Sequence, residues 1–90
     1  MKVVITVIGV DRTGIIATVS QVMSEYGVNI ESLNQAIVDG FFNMVMIVDT
    51  ESASIDLGQL QTVLKEKGDA LGMEIRAQHA DIFYAMHRVG

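Results

Sequence analysis

The chain of 90 residues has no cysteine, no proline and six basic residues against eleven acidic ones. Without cysteine it can form no disulfide, thiolate metal site or iron–sulfur cluster, and it has no cysteine nucleophile. Without proline no turn has a preset φ and no helix is interrupted by a missing N–H. The net charge of −5 disfavours nucleic acid and anionic membranes, because both are bound by clustered Lys and Arg that displace counterions. The apolar run Val3-Val4-Ile5-Thr6-Val7-Ile8 after Met1-Lys2 is too short for a signal peptide's apolar region or a membrane span. The expected location is therefore the cytoplasm.

Half of the residues are apolar, enough for one real core but not for two. Val3 to Val10 is a β-branched run whose two faces are both apolar, which suits a central strand. After Gly9-Val10-Asp11-Arg12-Thr13-Gly14 the period becomes helical, with Ile15, Val19, Val22, Met23 and Tyr26 on one face, and Gly27 ends the helix. Asn29 to Val38 is a more polar strand, suited to an edge. Asp39-Gly40 is a hairpin dipeptide. The strand that follows has Phe42, Met44, Met46 and Val48 on one face and Phe41, Val45 and Ile47 on the other, so it too should be central. Asp56, with Gln59 three residues on, starts a second helix as a capping box. Its stripe is Leu57, Leu60, Leu64 and Leu71, and Gly68 should weaken it by about 1 kcal/mol relative to alanine. Met73 to His79 alternates as a half-buried strand. A terminal helix over about 81–89 lines up Ile82, Phe83, Met86 and Val89.

The order β-α-β-β-α-β plus a terminal helix predicts an α+β, ferredoxin-like βαββαβ sandwich in one domain over residues 1–90. Its four-stranded antiparallel sheet should carry two helices on one face. Two helices cover one face only, yet the first and third strands are apolar on both. Exposing such side chains forfeits about 1.5–3 kcal/mol each. The second face should be covered by the terminal helix, by a second copy of the chain, or by both, with a homodimer favoured.

The segment suited to ligand chemistry is the loop from Gly9 to Gly14. A helix start offers unpaired N–H groups and positive partial charge to a carboxylate. Asp11 suits an ammonium group, Arg12 suits a carboxylate, Gly14 permits close approach, and Asn29 offers an amide. The same residues also have plain structural roles open to them: Asp11 or Thr13 as helix caps, Arg12 as a solvated charge, Asn29 in the turn after Gly27.

Asp11-Arg12-Thr13-Gly14-Ile15, followed by a helix and Tyr26-Gly27-Val28-Asn29-Ile30, resembles the ACT domain signature of Asp-x-x-Gly-Ile/Leu and Gly-x-Asn-Ile. The resemblance spans essentially the whole chain. It is to small free-standing ACT proteins and to the regulatory domains of the glycine-cleavage repressor and formyltetrahydrofolate hydrolase. It implies a non-enzymatic, commonly dimeric regulatory module that binds an amino acid or other small molecule at a subunit interface. The ligand-binding residues it implies are Asp11, Arg12, Thr13, Gly14 and Asn29. It implies no cofactor and no metal. With no output domain in the chain, any regulation is expected to run through an unidentified partner protein. Some ACT domains serve only as dimerisation modules.

Other readings fit less well. Ile15-Ile16 stand where a P-loop needs Lys and Ser/Thr. An RNA-recognition strand needs a basic residue and later aromatics, where this chain has Asp39-Gly40-Phe41-Phe42-Asn43-Met44-Val45-Met46. A metallochaperone needs paired cysteines, and His79 and His87, with Asp81 nearby, are too sparse a ligand set. An acylphosphatase-like hydrolase would draw on Arg12 with Asn34 or Asn43, but no base–nucleophile pair accompanies them.

Overall fold

The computed structural model describes residues 1–10 and 13–87. The elements are β1 (Lys2–Val10), α1 (Ile15–Glu25), β2 (Asn29–Val38), β3 (Phe41–Asp49), α2 (Leu57–Leu71), β4 (Met73–His79) and α3 (Ala80–Met86). The four strands form one antiparallel sheet in the order β2-β3-β1-β4. The two strands that are apolar on both faces are central, and the two polar ones are edges. Asp39 and Gly40 turn the β2–β3 hairpin with φ values of 50° and 80°. Two successive positive φ values define the turn whose twist matches that of its flanking strands.

The core lies between the sheet and α1 and α2. Strand alternation sends Val3, Ile5 and Val7, then Phe42, Met44, Met46 and Val48, then Met73, Ile75 and Ala77 to that side. Ile15, Val19, Val22 and Met23 of α1 and Leu60 and Leu64 of α2 meet them there. No polar or charged residue is buried among the described residues, so this core contains no polar side chain needing a partner.

The helices start differently. At α2 the Asp56 Oδ1 accepts from the Gln59 backbone N–H at 2.8 Å, and the Gln59 Oε1 accepts from the Asp56 N–H at 2.9 Å. The capping box expected from sequence is formed. Gly68 departs from its expected role as a weak point. It is buried in α2, and a Cβ there would lie 2.6 Å from the Met73 carbonyl oxygen and 3.2 Å from the Ile75 Cγ1. The glycine lets the helix lie close over β4. About two turns earlier on the same helix, the Gln61 Nε2 donates to the Ala77 carbonyl oxygen of that edge strand at 2.8 Å.

The terminal helix covers less than expected. It ends at Met86, and Val89 lies outside the described residues. Ala80 is its buried residue, while Ile82 and Met86 are 55% and 64% exposed. Packed against β1 and β4, α3 accounts for the burial of Val4 on the otherwise uncovered face. The remainder of that face stays open.

Candidate functional site

The loop between β1 and α1 leaves the sheet where Val10 pairs with Phe41 and Gly9 pairs with Met73. It therefore sits at the same end as the β2–β3 turn. Asp11 and Arg12 lie outside the described residues. Thr13 is exposed. Gly14 is the N-cap of α1, with φ of 88°, and makes no side-chain cap hydrogen bond because it has no side chain. Its carbonyl accepts from the Thr18 N–H at 2.9 Å, closing the first turn. The cap position thus belongs to Gly14 and not to Thr13. A Cβ on Gly14 would meet nothing within 4 Å, so what requires glycine in this chain is the left-handed φ, and not a close approach.

Asn29 stands elsewhere. It begins β2 beyond the far end of α1 and pairs with Asp49, which itself pairs with Lys2 at the opposite end of the sheet. The eleven residues of α1 separate Thr13–Gly14 from Asn29 by about 16 Å at the helical rise. Within one chain, Thr13 and Gly14 are together and Asn29 is not with them. Sequence order alone indicated this separation, because Gly14 and Asn29 flank the whole length of one helix.

Around Asn29 a shallow pocket of about 370 Å³ is lined by Asp49, Glu51 and Ser52. The backbone N–H of Glu51 donates to the Asp49 Oδ1 at 2.9 Å, and the chain's amino terminus approaches it at 3.5 Å. These contacts hold the Asp49 carboxyl below the usual aspartate range, the backbone hydrogen bond contributing most. Nearby, the hydrogen bond from the Lys2 Nζ to the Glu31 Oε2 at 3.0 Å raises the Lys2 pKa, reinforced by the attraction between the charges.

A larger groove, about 770 Å³, runs between α2 and β4 past Gln61, Lys65, Asp69, Glu74 and Arg76. Its charges are engaged within the chain: Lys65 pairs with Asp69 at 3.0 Å, and the Arg76 Nε donates to Glu74 at 2.8 Å. Sequence reading missed the groove, and the signal for it was the pair of glycines at 68 and 72. The histidines have structural partners. The His79 Nδ1 accepts from the Asp81 N–H at 3.1 Å and caps α3, and His87 stacks on Phe83 at 4.2 Å between ring centroids. Among the described residues no group of three or more His, Cys, Asp or Glu is placed to hold a metal ion. Nor does any described helix have the length and apolarity to cross a membrane.

A family model for the ACT domain matches residues 2–78. The chain belongs to the ACT domain family. A UPF0237 protein of Methanopyrus kandleri is 43% identical over 88 residues, covering 98% of both chains. An ACT domain protein from Streptococcus pneumoniae is 37% identical, with a TM-score of 0.81 over 97% of this chain and 98% of that one. A formyltetrahydrofolate deformylase from Pseudomonas putida is 14% identical, with a TM-score of 0.79 over 90% of this chain and 30% of its own, a likeness of fold alone. The family model's match ends before α3, whereas the 88-residue match to the Methanopyrus kandleri protein takes in α3 as well.

Proposed function

We propose that this ACT domain protein is a regulatory module that binds an amino acid, acts as a homodimer and has no catalytic activity of its own. The observation that carries the reading is the start of α1. Its cap residue has no side chain, Thr13 beside it faces solvent, and the motif residues Asp11 and Arg12 immediately precede them. A helix start left without a side-chain cap offers its N–H groups and dipole to a carboxylate. An acid next to it suits the ammonium group of the same ligand. In this reading Asp11, Arg12, Thr13 and Gly14 come from one subunit. Asn29, about 16 Å away along α1, is too far for one amino acid to touch from the same chain, so it comes from the other. Regulation then passes to a separate partner protein.

A second reading, a dimerisation module without ligand, is favoured by the open sheet face, where Val10 is 61% and Phe41 53% exposed. Thermal melting against each of the twenty common amino acids separates the two. At about 10 mM, a ligand with Kd near 1 mM stabilises the fold by about 1.4 kcal/mol. In a domain of this size that moves Tm by about 5–10 °C. A shift with one amino acid, lost in Asp11→Ala, is the expected result. No shift with any of them rejects the sensor reading in favour of the dimerisation module.

A further inference from the structure

We infer that the open face of the sheet, beyond the end covered by α3, is the seat of a second copy of this chain. The inference rests on the homodimer reading above and names its interface.

Exposure along this face follows the position of α3. Val4, at the covered end, is 1% exposed, whereas Val45 and Ile8 are 41% and 48% exposed and Phe41, Val38 and Val10 exceed one half. The register sets these residues side by side: Val38 pairs with Phe41 and Phe41 with Val10, and Val45 stands opposite Thr6, one pleat before Ile8. The apolar pattern thus continues past the reach of the chain's own covering helix. On the flank, α3 adds the exposed Ile82, Tyr84 and Met86. About half of each of these eight large side chains, of the order of 100 Å² apiece, amounts to about 800 Å² per copy. That matches the share each partner buries in an interface of standard size.

Chemistry selects a copy of this chain as the occupant. A chain of net charge −5 meets itself most readily where its acids are absent or already paired. None of the residues 6–10, 34–38 and 41–45 is charged. The polar side chains on this part of the face are Thr6, Asn34 and Asn43, and at its β4 margin Arg76 and Glu74, which pair with Thr6 and Ile8 in the register and are joined to each other by a hydrogen bond of 2.8 Å from the Arg76 Nε. A hydroxyl and an amide each both donate and accept, so each can satisfy its own image across a twofold axis, which no charged group can do.

The test is sedimentation equilibrium of the wild type, Val45→Glu and Ile8→Glu, with Gln21→Lys on α1 as control and circular dichroism to verify folding. A wild-type dimer weakened at least about a hundredfold by each face variant, and unchanged by the control, is expected from burying an unpaired charge. Where a face variant does not fold, the Ile8 and Val45 methyl resonances of the wild type are followed on dilution. They should shift as the dimer dissociates, and methyls that stay still overturn the inference. A dimer that survives both face variants also overturns it and leaves the homodimer reading standing. A wild type that is monomeric at about 10 µM overturns both.

Discussion

Met46 and Val45 are neighbours on β3, yet Met46 is fully buried and Val45 is 41% exposed. Strand alternation sends one to the face under α1 and α2 and the other to the face that only α3 partly shields. The two faces are built from similar apolar residues on the central strands, so residue type does not distinguish them. What differs is the supply of covering elements: two long helices on one side and seven residues of α3 on the other. A sheet apolar on both faces in a chain this short signals that folding alone does not use all of its apolar surface.

The largest effect that sharpens this contrast comes from truncating the two neighbours in parallel. Met46→Ala should cost about 2–5 kcal/mol in urea denaturation, as expected for a core methionine. Val45→Ala should cost less than about 1 kcal/mol at concentrations where the chain is monomeric. Equal losses would break the contrast, by showing that the open face is already packed within one chain.

A smaller effect separates two glycines of the same helix. Gly68→Ala should destabilise by about 1–3 kcal/mol, because its methyl group would overlap the Met73 carbonyl and force α2 off β4. Gly58→Ala, whose Cβ would lie 3.4 Å from Asp56, should gain up to about 1 kcal/mol from helix propensity. Thermal melts of the two variants decide it, and a stabilised Gly68→Ala would mean that α2 does not lie tightly on the covered face.

The smallest effect concerns pH. The Asp49 carboxyl is held below its ordinary value of 3.8, so its stabilisation is present above that pH and is lost as pH falls through the folded-state pKa. Asp49→Asn lacks this contribution. Between neutral pH and about pH 3, the wild type should therefore lose slightly more stability than the variant, as read by urea denaturation at the two pH values. Equal losses would mean that the contact with the Glu51 N–H does not distinguish the two ionisation states.

Much of this architecture was legible in the sequence because it is governed by local rules. Period-two and helical repeats assigned the strands and helices, Asp39-Gly40 marked the hairpin, and Asp56 with Gln59 marked the start of α2. The polarity of β2, set against the doubly apolar β1 and β3, gave the strand order. Contacts made across the fold were hidden. Gly68 carries only a propensity in the sequence, and its neighbours Met73 and Ile75 reach it only after the chain has reversed at Gly72. The early end of α3 and the exposure of Ile82 also escaped, since a stripe on a helical wheel does not say what it faces. The candidate site was legible as a motif and not as an arrangement: Gly14 and Asn29 look like one signature in the sequence but stand at opposite ends of α1.

The hydrogen bond from Gln61 to Ala77 bears on how far association can go. By occupying a carbonyl of the edge strand β4, it takes one backbone acceptor out of reach of an incoming strand. A ribbon extended strand by strand needs two free rims. An edge met in this way is a poorer template for an added strand than an unobstructed one.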